Sequence, residues 1–275
     1  MSTLTAAPER IDKSRALRRM ASLARAETVL LRRNPAALGS ALIAPLPVAL
    51  VTFTNSEVPG EIGAAGVGAV LVAGLTVFTL MLGVYYNLVT ALVARREDFV
   101  LKRLRTGEIR DAEIILGTAA PAVAIAWAQV AIAVAVGFAF LDLHMPTNPI
   151  LALGGVVLGT VLCALLAAAV TIVTSSVEMA QLTATPLLVL SLTFSGAMIP
   201  LELLPEPVNR LSQGLPLTPV LDLVRLGLTG TTPSGEVVDL GGSFVAAVLP
   251  LVIIAAWLFA GTWILRGRFR WEPRR

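Results

Sequence analysis

The chain has 275 residues, of which 56% are hydrophobic and 14% charged, with a mean hydropathy of +0.82. Soluble globular domains carry about a quarter charged residues, so a water-soluble core is excluded and a polytopic α-helical membrane protein is expected. The formal net charge of +3 does not signal nucleic acid, because the cations flank apolar runs and no aromatic or glycine-rich nucleic-acid motif lies among them.

Residues 14–33 read as an amphipathic helix. Leu17, Met20, Ala21, Ala24, Thr28 and Leu31 share one side of a 3.6-residue wheel, and Arg15, Arg18, Arg19, Arg25 and Arg33 take the other. Such a helix lies along a membrane surface with its arginines among anionic headgroups. About 33 mostly polar residues precede the first apolar run and no convincing cleavage site follows it, so that run is expected to stay as a membrane anchor.

Six apolar runs have roughly the 20 residues a bilayer crossing needs: 36–54, 63–94, 114–140, 150–174, 180–201 and 243–265. Of the 21 Lys and Arg residues, eight precede residue 34, six lie from Arg95 to Arg110 and five follow residue 265. The positive-inside rule puts these blocks, and with them both termini, on the cytoplasmic side. The stretches 55–62 and 141–149 have no cation, and 202–242 has Arg210 and Arg225 alone. The link 175–179 also lacks cations, so its side follows from alternation. The second run is longer than the bilayer needs. Its 33 uncharged residues from Ile62 to Ala94 make about 50 Å of helix against a hydrocarbon core of about 30 Å, so it must tilt or project.

Between runs two and three lies Arg95-Arg96-Glu97-Asp98-Phe99-Val100-Leu101-Lys102-Arg103-Leu104-Arg105-Thr106-Gly107. Acids open it, bases close it and Gly107 stands where helices stop, an order that complements a helix dipole. Asp98 and Lys102 form an i,i+4 pair, while Phe99, Val100, Leu101 and Leu104 leave an apolar face with no membrane run to bury it. Two readings stay open for this short helix: one held against headgroups, or one that docks a soluble partner.

Gly155 and Gly159 form a GxxxG pattern that permits close helix approach, with packing inside the subunit favoured over dimerisation. Thr79, Tyr85, Tyr86 and Asn87 in run two, with Thr193 and Met198 near the end of run five, are candidate lining of a pathway, although hydroxyls bonded to neighbouring helices explain most such residues. After run five, prolines and glycines divide Ser195 to Arg225 into apolar pieces too short to cross, which predicts a re-entrant outer segment over 202–230. Asp222 and Arg225 are spaced for a rim salt bridge.

Several classes are disfavoured. All six runs lack Asp, Glu, Lys, Arg and His, the residues an ion-coupled secondary transporter places in the membrane. Glu178, at the inner edge between runs four and five, is the nearest candidate. No run holds paired acids, a Ser with a His, or metal ligands, so catalytic and metal sites are expected to be absent. Cys163 and His144 are the single residues of their types, which rules out a disulfide framework or a zinc site. Lys13 and Lys102 are the two lysines and neither follows a glycine, so there is no Walker A loop to cradle a nucleotide phosphate.

The order of surface helix, two spans, basic helix and four spans resembles the ABC type-2 permease family of bacterial exporters over about residues 14–266. The specific blocks are Lys102-Arg103-Leu104-Arg105, Ser195-Gly196 to Pro200, Leu204-Pro205, Leu215-Pro216-Leu217-Thr218 and Leu221 to Arg225. Gly107-Glu108 stands where many relatives have a proline. The resemblance implies a six-helix half-channel over 35–266, preceded by a cytoplasmic tail and surface helix at 1–34 and followed by a basic tail at 267–275. It implies pairing with a second permease copy, a homodimer, and with two separate ATPase subunits that bind the ATP and Mg this chain cannot hold. The ATPase would contact the surface helix, with Arg15, Arg18, Arg19 and Arg25, and a coupling helix at 96–107, with Glu97, Asp98, Phe99, Leu101, Lys102, Arg103, Leu104 and Arg105. The expected function is export of an amphipathic drug or antibiotic across a bacterial cytoplasmic membrane. Export of a lipid or lipid-linked glycan is the alternative within the class, and an ion-coupled transporter the alternative outside it.

Overall fold

The computed structural model describes residues 66–98, 111–199, 201 and 204–268. The surface helix expected at 14–33, the first span at 36–54, residues 99–107 of the coupling helix and the tail at 269–275 lie outside the described residues. Within them the chain is helical: α1 Gly66–Thr79, a π-helical turn Leu80–Tyr86, α2 Asn87–Glu97, α3 Asp111–Phe140, α4 Pro149–Val170, α5 Val177–Phe194, α6 Glu206–Gln213, α7 Thr218–Thr229, α8 Leu240–Ala246 and α9 Val248–Arg268. A single bridge between Thr231 and Val237 is the extent of β pairing among the described residues.

Five helical stretches are long and apolar enough to cross a membrane: Gly68–Glu97, Ile115–Phe140, Pro149–Val170, Val177–Phe194 and Leu240–Arg266. They correspond to expected spans two to six. A bilayer core offers no water to satisfy backbone groups, so the helix is the form such runs must take. Local chemistry sets the ends. Asn148 caps α4 by accepting from the Leu151 amide at 3.2 Å, and Pro149 has no N–H to satisfy at the first position. Ser176 accepts from Met179 to start α5, and Asp239 accepts from Gly242 at 2.8 Å to start α8. The fifth span stops at Phe194, short of 201, because the chain turns through Gly196 at φ +86°, a conformation that favours glycine. The last span is interrupted near its start. Pro250 has no N–H for the Ala246 carbonyl, and α8 gives way to α9 at Ala247.

The rod from α1 through α2 answers the excess length of the second run. The 30 residues from Gly68 to Glu97 extend about 45 Å as helix, beyond the hydrocarbon core, and the charged end at Arg95 to Glu97 packs against other helices, as described below. The most extensive helix contact joins α4 to the short helix α7. The seam is made by glycines. A Cβ on Gly155 would meet Val224 Cγ2 at 2.9 Å, and one on Gly159 would meet Val220 Cγ1 at 2.7 Å and Leu80 Cδ1 at 2.8 Å. Gly227 lies against the backbone of Ala152. The GxxxG pattern therefore serves packing inside the subunit, as expected, since without a side chain two backbones approach closely enough for dispersion to hold them. The rod and α9 flank this pair, and α3 packs against the rod. The outer faces of α3, α5 and α9 remain apolar and exposed, with Ile132, Phe140, Leu182, Val252 and Phe259 among their residues.

Candidate functional site

At the end of the rod, two adjacent residues of opposite charge grip the link between α4 and α5. Arg96 is 2% exposed. Its Nη1 donates to the Thr171 carbonyl at 2.8 Å, and its Nη2 donates to the Thr174 carbonyl at 2.6 Å and the Ser175 carbonyl at 3.4 Å. Thr171 caps the C-terminal end of α4, where carbonyls have no intrahelical donor and the helix dipole is negative. Glu97 acts on the other side of the link. Its Oε1 accepts from the Val177 amide at 3.1 Å, at the positive N-terminal end of α5. Arg95 Nη1 donates to Thr118 Oγ1 of α3 at 3.0 Å, so three consecutive side chains reach three helices. Thr174 and Thr183 hydroxyls, 2.8 Å apart, close the link against α5.

The link 171–176 has no cation of its own, and Arg96 supplies one. It therefore sits at the same end of the bundle as Arg95, Glu97 and Asp98. Of the expected coupling residues, Glu97 is half-buried and occupied with Val177, and Asp98 is exposed and caps α2 through its amide to the Ala94 carbonyl at 3.0 Å. Phe99, Leu101, Lys102, Arg103, Leu104 and Arg105 lie outside the described residues, as do Arg15, Arg18, Arg19 and Arg25. Arg96 was not singled out in the sequence. An arginine beside an acid at the end of an apolar run marks a membrane boundary, and nothing local distinguishes one in headgroups from one buried on carbonyls.

The residues considered as pathway lining divide by burial. Thr79 and Tyr85 are buried, and the Tyr85 hydroxyl donates to the Ala184 carbonyl of α5 at 3.0 Å. Tyr86 and Thr193 are half-buried, while Asn87 and Met198 are exposed. Asn87 Nδ2 donates to the Gly83 carbonyl at 3.2 Å.

At the opposite end, the segment after α5 folds back into the bundle. α6 exposes one face, with an Arg210–Glu206 ion pair along it, and buries Ser212. α7 is enclosed: nine of its twelve residues are buried, and Asp222 and Arg225 are half-buried. Its C-terminal end lies at the start of α4, where the Asn148 amide donates to the Gly227 carbonyl at 2.8 Å. Val220 meets α4 at Gly159, eleven residues past Asn148, or about 16 Å farther along the helix. Asn148 also donates through Nδ2 to Ser243 Oγ at 2.9 Å, and Trp257 Nε1 donates to the Gly214 carbonyl at 2.9 Å, which ties the returning segment to α8 and α9. Among the described residues no group of His, Cys, Asp and Glu is arranged to hold a metal ion.

No match to a curated protein was found. Residues 18–229 match the family of ABC-2 type transporters, a stretch that runs from within the expected surface helix through the basic segment to the end of the buried helix α7. Members of this family are membrane components of transporters, generally without an ATPase of their own and normally working with ATPase subunits. A multi-pass chain, whose buried returning helix and basic segment both fall inside the matched residues, belongs to the ABC-2 type transporter family.

Proposed function

We propose that this chain is the permease subunit of an ABC exporter in a bacterial cytoplasmic membrane, with both termini in the cytoplasm. Two copies form the conduit, and two separate ATPase subunits bind ATP and Mg and supply the energy. The family match over 18–229 carries this reading. The uncharged spans support it, because a motor outside the membrane removes the need for an intramembrane coupling carboxylate. The basic segment after Asp98 docks the ATPase through Phe99, Leu101 and Leu104, with Lys102, Arg103 and Arg105 around them. The buried helix α7 serves as a re-entrant outer element, and its reach about halfway along α4 supports that role. The cargo is an amphipathic small molecule of drug or antibiotic type, a class that suits apolar spans better than a charged polymer does.

The test is reconstitution of the permease with its ATPase subunits. The Phe99→Ala, Leu104→Ala double variant should insert normally and lose substrate-stimulated ATP hydrolysis. Wild-type coupled turnover in that variant would overturn the docking assignment, and uphill flux by the permease alone on an ion gradient would overturn the exporter reading.

A further inference from the structure

We propose that Arg96 and Glu97 are positioning residues that join the end of α2 to the start of α5, so that movement delivered to the rod is passed to α5 as a rigid-body displacement. The proposal rests on the ATP-driven reading above. Its basis is the complementarity of two adjacent charges with two helix ends. The C-terminal end of α4 and its link present carbonyls, and Arg96 binds those of Thr171, Thr174 and Ser175. The N-terminal end of α5 presents amides, and Glu97 binds that of Val177. Neighbouring side chains on a helix leave it about 100° apart, so the α2 terminus holds the link from two directions and the link cannot swing about a single contact.

A guanidinium suits this position. Its planar fork aims Nη1 and Nη2 at separate carbonyls, and it stays charged when buried. A second tether fixes the same helix pair: Tyr85, eleven residues before Arg96, donates to Ala184, seven residues after Val177. α5 is thus attached to the rod at its first turn and again at mid-length. By contrast, much of the rest of α5 faces outward, with Leu182, Val189 and Leu190 exposed. The element is firmly joined to the rod and lightly held elsewhere, which is what a moving part requires.

The experiment compares hydrogen exchange over residues 171–184 in the full-length permease, assembled with its ATPase subunits in nanodiscs, without nucleotide and with ATP plus vanadate. The wild type should change its exchange at the start of α5. Arg96→Met and Glu97→Ala should lose that change in the complexes they form. Glu97→Gln, which keeps a carbonyl acceptor for the Val177 amide, should retain it. A purely structural role would lower thermal stability in all three and leave the nucleotide response of the surviving complex intact, which would overturn the proposal. Should Arg96→Met not assemble, the contrast between Glu97→Ala and Glu97→Gln at a half-buried site decides the matter. A wild-type complex that hydrolyses ATP without any response at α5 would sink the link alone. Absence of any ATPase association would sink the link and the exporter reading together.

Discussion

Two buried side chains show how far residue type predicts role. Tyr85 looks like a pathway residue in an otherwise apolar run, yet its ring is packed inside and its hydroxyl is bonded to Ala184. Tyr85→Phe keeps the ring and removes one hydrogen bond, and such bonds between membrane helices average about 0.6 kcal/mol. A small fall in the detergent melting temperature is expected, with transport retained. Asn148 does more than cap a helix. It is fully buried, accepts from Leu151 and donates to Ser243, while its backbone binds Gly227. Asn148→Ala leaves the buried Ser243 hydroxyl and Leu151 amide without that partner, a loss of about 1–3 kcal/mol. It should therefore melt well below Tyr85→Phe, and equal melting points for the two would contradict the shared role assigned to Asn148. Asn-Pro before an apolar run is a local signal that makes such a cap legible in principle, although Asn148 was not singled out in the sequence. The partners Ser243 and Gly227 were not legible, because they lie far along the chain and no local period encodes them.

At the scale of elements, the seam between α4 and α7 gives an internal control. Gly154 and Gly155 are neighbours, but a Cβ on Gly154 meets nothing within 4 Å, whereas one on Gly155 meets Val224 at 2.9 Å. Gly154→Ala should be tolerated, and replacing a helical glycine there can even stabilise by reducing freedom in the unfolded chain. Gly155→Ala and Gly159→Ala push on side-chain methyls and should cost about 1–3 kcal/mol as overpacking. Gly227→Ala pushes on the Ala152 backbone and should be the worst of the four. Thermal unfolding of the purified variants would rank them, and a Gly154→Ala loss as large as that of Gly227→Ala would refute the seam. The short apolar pieces after the fifth span announced themselves as unable to cross. What they could not announce was the helix they cover, since the sequence of α7 states that it is apolar on most sides and not where its glycine must sit.

For the whole molecule, sidedness is the open measurement. Single cysteines at Lys102 and Glu236 should be labelled by an impermeant maleimide from opposite faces of oriented vesicles, with Lys102 on the ATPase side. The native Cys163 is buried and should stay unlabelled, so it need not be removed first. Labelling of both sites from one face would break the topology. Membrane residence, the positions of spans two to six, the lack of charge within them and the family were all legible in the sequence, because hydropathy, charge partition and motif spacing are properties of contiguous stretches. Tertiary structure alone decided that Arg96 is buried on the carbonyls of Thr171, Thr174 and Ser175, that the cation-free link 171–176 sits beside it, and that the glycines of α4 face α7. Each of those depends on which distant segment comes to lie against a given face, and in a medium where every helix surface is equally apolar, only the fit of one surface to another makes that choice.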